Sequence, residues 1–232
     1  MYGLNPMALA AFAGLSFLSR ALCRCAPERR RKALNALCAA LLAGNLLRYA
    51  VIFPLTEGRI RVPVEFSSIA YFAVPAILLF SRKRLRSWAA YSGLMAGFFY
   101  YMALIAAGGP LYAAYAPGDT YVSMLCHGAI YLCGLVAIRT ERYSAAEARE
   151  LAMGVCLVAV WAALFRPLEA GRERLLIYIL LDGECIKRAL APRLWRYALP
   201  AYDGALAALV AVSIRGFFRK NRAQPFSAPA VC

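Results

Sequence analysis

Residues 120–138, TYVSMLCHGAIYLCGLVAI, decide the fold class, because no Lys, Arg, Asp or Glu interrupts them. An apolar run of roughly 20 residues has the length that an α-helix needs to cross the hydrocarbon core of a bilayer. The run also contains the only histidine of the chain, His127. A buried imidazole needs a hydrogen-bond partner, so the segment predicts a membrane-spanning helix with a polar contact inside the protein.

The composition of the whole chain extends this interpretation. The protein has 232 residues, of which 62% are hydrophobic and 17% charged, and its mean hydropathy is +0.59. Soluble domains are roughly half apolar and about a quarter charged. We therefore predict an all-α, polytopic membrane helix bundle that forms one integral membrane domain over residues 1–232.

The net charge of +15 predicts a lipid partner rather than a nucleic-acid one. Lys and Arg lie in short runs between apolar segments, which is typical of loops that flank membrane spans. Anionic lipid head groups are the expected counter-charge. The sequence predicts no nucleic-acid partner, no cofactor and no metal site, and it leaves protein partners undefined.

About seven transmembrane helices follow from the apolar segments. The predicted spans are 6–23, 33–54, 62–80, 88–107, 120–138, 151–165 and 199–217. Loops after the first, third and fifth spans and the C-terminal tail are rich in Lys and Arg, whereas the loop before residue 120 has neither. The positive-inside rule then places the N-terminus outside and the C-terminus inside, as in a multi-pass protein of the cell membrane.

Segment 172–197 is apolar at first but reaches four charged residues too soon for a complete span. We predict an interfacial or re-entrant segment on the outer side. If this segment crossed the membrane instead, the bundle would have eight helices and the tail would lie outside. Gly93 and Gly97 form a small-xxx-small pair that would allow two helices to pack closely.

Polar residues inside predicted spans mark a candidate site, because ionisable groups in the membrane usually face the bundle interior. With the predicted orientation they all fall in the outer half of the membrane, on four different spans. The set comprises Asn45, Arg48, Glu65, His127 and Asp203. Structural roles compete with functional ones: Arg48 could reach the outer head groups, Glu65 and Asp203 could be interfacial, and His127 could form one helix–helix hydrogen bond.

Ser67 adds a possible nucleophile to this set. A serine needs a base within hydrogen-bond distance, and His127 is the ordinary candidate, with Glu65 as orienting group or alternative base. Serines in membrane helices more commonly donate to a backbone carbonyl. We predict that His127 faces the bundle interior and lies within hydrogen-bond distance of Glu65 or Ser67, directly or through one water.

Three motifs resemble the YwaF-like, transmembrane-protein-164-like integral membrane family. They are GNLLRYAVI (44–52), LTEGRIRVPVEFSSIA (55–70) and CHGAIYL (126–132), with WRY (195–197) before the last span as a weaker match. The resemblance covers roughly 35–217. It implies a seven-helix bundle and acyl transfer on membrane lipids, with a cysteine and a histidine as the reacting residues.

This chain departs from the family motif at two positions. Glu65 stands where the family has a histidine, and Ser67 stands where it has the cysteine, while His127 matches. The leading hypothesis is a lipid acyltransferase or hydrolase in which Ser67 attacks, His127 takes the proton and Glu65 orients the imidazole. Arg48, with Asn45 and Asp203, would then bind the substrate. The alternative is a non-catalytic membrane protein that binds or transports a lipid or a small anion.

Overall fold

A computed structural model describes residues 4–58, 61–81, 85–112, 117–144, 146–165 and 198–223. Eight α-helices form these ranges, and the described residues contain no β-strand. The helices are α1 (Leu4–Arg24), α2 (Pro27–Leu47), α3 (Phe53–Glu57), α4 (Phe66–Phe80), α5 (Arg86–Tyr112), α6 (Pro117–Thr140), α7 (Glu147–Phe165) and α8 (Ala198–Ala223). A π-helical turn, Arg48–Ile52, joins α2 to α3 without a break.

Within the described ranges, five helices are long and apolar enough to cross a bilayer. They are α1, the continuous helix Pro27–Glu57, and the apolar stretches of α5, α6 and α7. Large apolar side chains on these helices, such as Phe17, Leu125 and Leu164, are exposed, as expected for groups that face lipid. The all-helical prediction is confirmed, and the helices support a membrane protein.

The predicted span 62–80 is only partly helical. Its helix, α4, begins at Phe66 and has 15 residues, or about 22 Å at 1.5 Å per residue. Pro63 lies in an extended segment before it, where its carbonyl accepts a hydrogen bond from the Trp161 indole at 2.9 Å. Val64 is buried against Ala162 of α7. Extended backbone is tolerated at membrane depth where another helix covers it, as α7 does here.

Neighbouring helices alternate in direction, which gathers most basic residues at one end of the bundle. At this basic end the α5 residue Arg86 forms an ion pair with Glu141, which directly follows α6. Arg139 of α6 donates a hydrogen bond to Ser19 of α1 there. The start of α7 lies at the same end as the last turns of α8, because the loop residue Tyr143 donates its N–H to the Asn221 side chain.

Asn221 of α8 closes the C-terminal end of α6. Its side chain is fully buried and donates to the carbonyls of Ile138, at 3.2 Å, and Glu141, at 2.8 Å. The last carbonyls of a helix have no partner within that helix, so an asparagine from a neighbour satisfies them. Burial and the Glu141 carboxylate raise the pKa of the adjacent Tyr143, which keeps its phenol protonated as a donor to that carboxylate.

Glycines allow α5 and α6 to approach each other closely. A Cβ atom added at Gly134 would lie 2.7 Å from the Leu94 nitrogen and 2.8 Å from the Ala90 carbonyl oxygen. Cβ atoms at Gly93 and Gly97 would overlap the α6 chain in the same way. The predicted close packing at these two glycines is confirmed, and α6 contributes a third glycine to it.

Gly134→Ala should destabilise the bundle by about 1–3 kcal/mol, because the methyl group would meet backbone atoms that cannot rotate away. Thermal unfolding of the detergent-solubilised protein measures the effect. Gly44→Ala is the matched control, since nothing lies within 4 Å of a Cβ at that helical position. Equal unfolding midpoints for the two variants would contradict the close α5–α6 packing.

Candidate functional sites: a polar layer and a basic pocket

The π-helical turn after α2 is explained by Pro54. A proline has no N–H, and its ring crowds the carbonyl four residues earlier, so the preceding turn widens. The widened turn begins at Arg48 and continues into α3, which ends at Gly58 with a left-handed backbone (φ 66°). The Arg48 side chain is only 16% exposed, and it points back into the bundle towards α6.

One face of α6 carries a polar stripe, which consists of Asp119, Ser123, Cys126 and His127. Spacings of three and four residues place these side chains on the same side of a helix. Each member contacts a polar group of another helix or of its own backbone. Together with those partners, the stripe forms a layer that we term the polar layer, with members Asn45, Arg48, Tyr71, Asp119, Ser123, Cys126 and His127.

His127 is held on several sides. Its Nδ1 lies 2.8 Å from the Ser123 carbonyl oxygen, so Nδ1 carries a proton and donates it there. The Tyr71 hydroxyl lies at the ring edge, 2.6 Å from Nδ1 and 3.2 Å from Nε2. The Tyr71 hydroxyl is therefore a hydrogen-bond partner of the imidazole edge, closer to Nδ1 than to Nε2. Tyr100 of α5 stacks on the imidazole at 3.6 Å with an interplanar angle of 9°.

The prediction that His127 faces the interior is confirmed, since the residue is only 5% exposed. The predicted contact of His127 with Glu65 or Ser67, direct or through one water, stays a prediction. Tyr71, one helical turn further along α4 than Ser67, contacts the imidazole. A one-turn difference moves a side chain about 5 Å along the membrane.

Two other predicted site residues, Glu65 and Asp203, lie near the starts of α4 and α8. Glu65 is the residue before α4, and its carbonyl accepts hydrogen bonds from the Ser68 hydroxyl and the Ile69 amide. The predicted serine-to-backbone bond is therefore present at Ser68. Asp203 lies in the second turn of α8, and its part in a site stays a prediction. The predicted interfacial segment 172–197 lies outside the described residues.

Arg48 pairs with Asp119 rather than with Glu65. Its guanidinium donates to the Asp119 carboxylate at 2.8 Å, and it also lies over the Phe53 ring at 4.8 Å. Arg61 stacks on the same ring at 4.0 Å. The aromatic ring and the carboxylate together compensate for much of the desolvation of the Arg48 cation.

Asn45 is 3% exposed and also paired. Its amide donates to the Leu41 carbonyl at 2.9 Å and contacts the Cys126 sulfur at 3.7 Å. Asn45 therefore joins Arg48 and Tyr71 as a partner of the α6 stripe. The groups of the polar layer satisfy one another, and this indicates a structural role in holding α2, α4 and α6 together.

A second feature lies at the basic end, in a cavity of about 380 Å³ that we term the basic pocket. It opens between the start of α2 and the adjoining ends of α4, α5 and α6. Its mouth contains Arg30, Arg31 and Arg86. Its lining is completed by Pro27, Glu28, Leu34, Asn35, Leu78, Cys133, Ala137, Thr140 and Glu141.

The basic pocket carries a net positive charge, since three arginines face two glutamates. Glu141 is already occupied by Arg86, with two oxygen–nitrogen distances of 2.9 and 3.0 Å to Nε. Arg30 donates to the Cys23 carbonyl at 3.4 Å. Arg31 is exposed at the mouth. Deeper in the pocket the lining becomes apolar, with Leu34, Leu78 and Ala137.

Several of these residues were not predicted from the sequence. Tyr71 lies in a helix rich in apolar and aromatic residues, so its sequence context indicates a lipid-facing or core side chain. Asp119 lies in what the sequence indicates as a loop before residue 120, yet it belongs to the first turn of α6. The three-residue and four-residue spacing from Asp119 to His127 was the available signal for the polar stripe.

Comparison with protein-family models, with curated proteins and with solved structures finds no match for this chain. The motif resemblance to the YwaF-like family therefore stays a prediction. The class that fold and site define is a helical bundle with several apolar helices, a set of paired polar side chains between α2, α4 and α6, and a cationic cavity at the basic end.

Tyr71 and His127 should show an interaction free energy of about 0.5–2 kcal/mol in a double-mutant cycle, because each satisfies the other in a low-dielectric interior. The cycle combines Tyr71→Phe with His127→Leu and measures the free energy of unfolding in mixed micelles. The control cycle uses Tyr91→Phe with His127→Leu, since the Tyr91 hydroxyl bonds to Ser213 of α8 at 2.6 Å. Additive effects in both cycles would show that the Tyr71–His127 bond adds no stability.

Proposed function

We propose that the protein is a seven-span, non-catalytic membrane protein that binds an anionic lipid in the basic pocket. The observation that carries this proposal is the composition of the cavity, whose lining combines three arginines with apolar side chains such as Leu34, Leu78 and Ala137. A phospholipid has the matching arrangement, with a charged phosphate next to an acyl chain. Basic pockets between transmembrane helices are a recurrent type of site for lipid head groups.

The electrostatic part of the proposal rests on Arg31 and its neighbours. Arg86 is neutralised by Glu141, whereas Arg31 is exposed at the mouth and Arg30 contacts only a backbone carbonyl. A phosphate at the mouth would gain charge-assisted hydrogen bonds from these guanidinium groups. A free phosphate ion would gain the same bonds but nothing from Leu34 and Leu78, so the apolar floor favours a lipid.

Seven crossings and an inside C-terminus are supported by the alternation of the helices. The start of α7 and the last turns of α8 lie together at the basic end, so α7 ends and α8 begins at the opposite end. Helix α4 and the extended residues before it provide the third crossing, and α8 provides the seventh. The concentration of Lys and Arg at the basic end favours the inner side of the membrane for that end.

The polar layer lends less support to acyl transfer by Ser67. A general base must reach the nucleophile, but the described contacts of the His127 ring nitrogens are with the Tyr71 hydroxyl and with Ser123. Activating Ser67 would require His127 to give up its contact with Tyr71, which lies one turn further along α4 than Ser67. The geometry therefore supports the non-catalytic hypothesis better.

Arg31→Gln should weaken binding of phosphatidylglycerol about fivefold, because one cation near a membrane surface contributes about 1 kcal/mol to anionic-lipid binding. Native mass spectrometry of the purified protein titrated with this lipid measures the dissociation constant. Phosphatidylcholine and inorganic phosphate serve as the neutral-lipid and head-group-only ligands. Inorganic phosphate competing as well as the lipid would indicate an anion site instead.

Arg29→Gln is the matched control for this experiment. Arg29 is exposed, lies on the same turn of α2 and does not line the basic pocket. The substitution removes the same charge, so a change below twofold is expected. Equal losses from the Arg29 and Arg31 variants would mean that the lipid responds to overall charge and not to the pocket.

Cysteine labelling with a membrane-impermeant maleimide tests the orientation. Cys25 is exposed in the turn between α1 and α2 at the basic end, and Thr56 is exposed near the end of α3 at the opposite end. In single-cysteine backgrounds, Thr56→Cys should react in intact cells and Cys25 only after permeabilisation. The reversed result would place the basic pocket on the outer side and contradict the proposed topology.

A further inference from the structure

Two cysteines from different helices meet at the edge of the basic pocket. The sulfur of Cys38 on α2 lies 3.7 Å from that of Cys133 on α6, and each residue is only 1% exposed. Both are free thiols. Other described cysteines have different surroundings: Cys126 contacts Asn45, and Cys156 is exposed on α7.

The basic pocket gives a small polar molecule access to this pair. Cys133 is part of the pocket lining, whereas Cys38 lies behind it. A reagent that enters from the mouth therefore meets Cys133 first and finds Cys38 in contact behind it.

We propose that Cys38 and Cys133 form an oxidisable thiol pair that a hydroperoxide converts into a disulfide between α2 and α6. In the first step the Cys133 sulfur attacks the peroxide, the O–O bond breaks, and the products are a sulfenic acid and one water. In the second step the Cys38 sulfur attacks the Cys133 sulfur and displaces the hydroxyl group as a second water. Two thiols and one hydrogen peroxide thus give one disulfide and two waters.

Oxidation would change the geometry of the pocket. The sulfur atoms must approach from 3.7 Å to about 2.05 Å in a disulfide. Leu34 and Asn35 of α2 form one wall of the pocket, and Ala137 and Thr140 of α6 form the facing wall. The bond would draw these walls together at their base and fix α2 to α6. This inference does not depend on the lipid-binding proposal.

The test is peroxide treatment of the wild-type protein in nanodiscs, followed by alkylation and mass spectrometry of non-reduced peptides. We expect a crosslinked peptide that joins Cys38 to Cys133, and its loss on reduction with a phosphine. Because a disulfide restricts the unfolded chain, the oxidised protein should unfold about 5 °C higher than the reduced one. Oxidation confined to Cys25 and Cys156, with no such crosslink, would overturn the inference.

Two variants separate the steps. Cys38→Ser removes the second thiol, so the Cys133 sulfenic acid should persist and be trapped by a 1,3-dione probe. Cys126→Ser is the control, because its sulfur lies next to Asn45 and the Cys38–Cys133 crosslink should form as in the wild type. Failure of the 1,3-dione to label Cys133 in a folded Cys38→Ser variant would contradict attack by that residue. If the variant does not fold, the wild-type crosslink alone decides.

Discussion

The pairing of polar side chains between α2 and α6 is the constraint on which the rest of the bundle depends. These antiparallel helices meet at three contacts: Cys38 with Cys133, Asn45 with Cys126, and Arg48 with Asp119. The first two contacts are seven residues apart on each helix, so they lie on one seam two turns apart. Unpaired polar groups are costly in hydrocarbon, and a shift in register would separate every pair at once. Leucines alone would allow many registers, whereas this seam selects one.

The sequence predicts part of this arrangement because depth can be read from hydropathy and charge. Counting residues from the span ends placed Asn45, Arg48 and His127 at similar depth, and the structure brings them into one layer. Hydropathy and charge do not give the rotation of each helix about its own axis. Ser67 and Tyr71 are one helical turn apart, so which of them lies at the depth of His127 depends on where α4 begins. Helix α4 begins at Phe66, later than the predicted span. The extended residues before it are allowed only because α7 covers them, which is a tertiary effect.

The basic pocket illustrates a second limit of sequence reasoning. Its arginines belong to one basic run in the first turns of α2 and to another that ends at the first residue of α5. A run of basic residues ordinarily indicates a membrane-flanking loop. The cavity lies between residues of α2, α4, α5 and α6 at this end. The assembled helices produce both the close packing at Gly93 and Gly134 and the cavity at the basic end. No single segment of the sequence encodes either feature.

The two ends of the α2–α6 seam differ in whether their charged and polar side chains already have partners within the protein. In the polar layer, the described side chains already have partners: Arg48 has Asp119 and Phe53, and the His127 ring has Tyr71 and Tyr100. A site already satisfied by its own side chains gains little from a ligand, because binding must first break those contacts. At the basic end, Arg31 is exposed beside an apolar floor, so a ligand there adds contacts without breaking any. This difference, and not the presence of a histidine, is the physical reason to place function at the basic end.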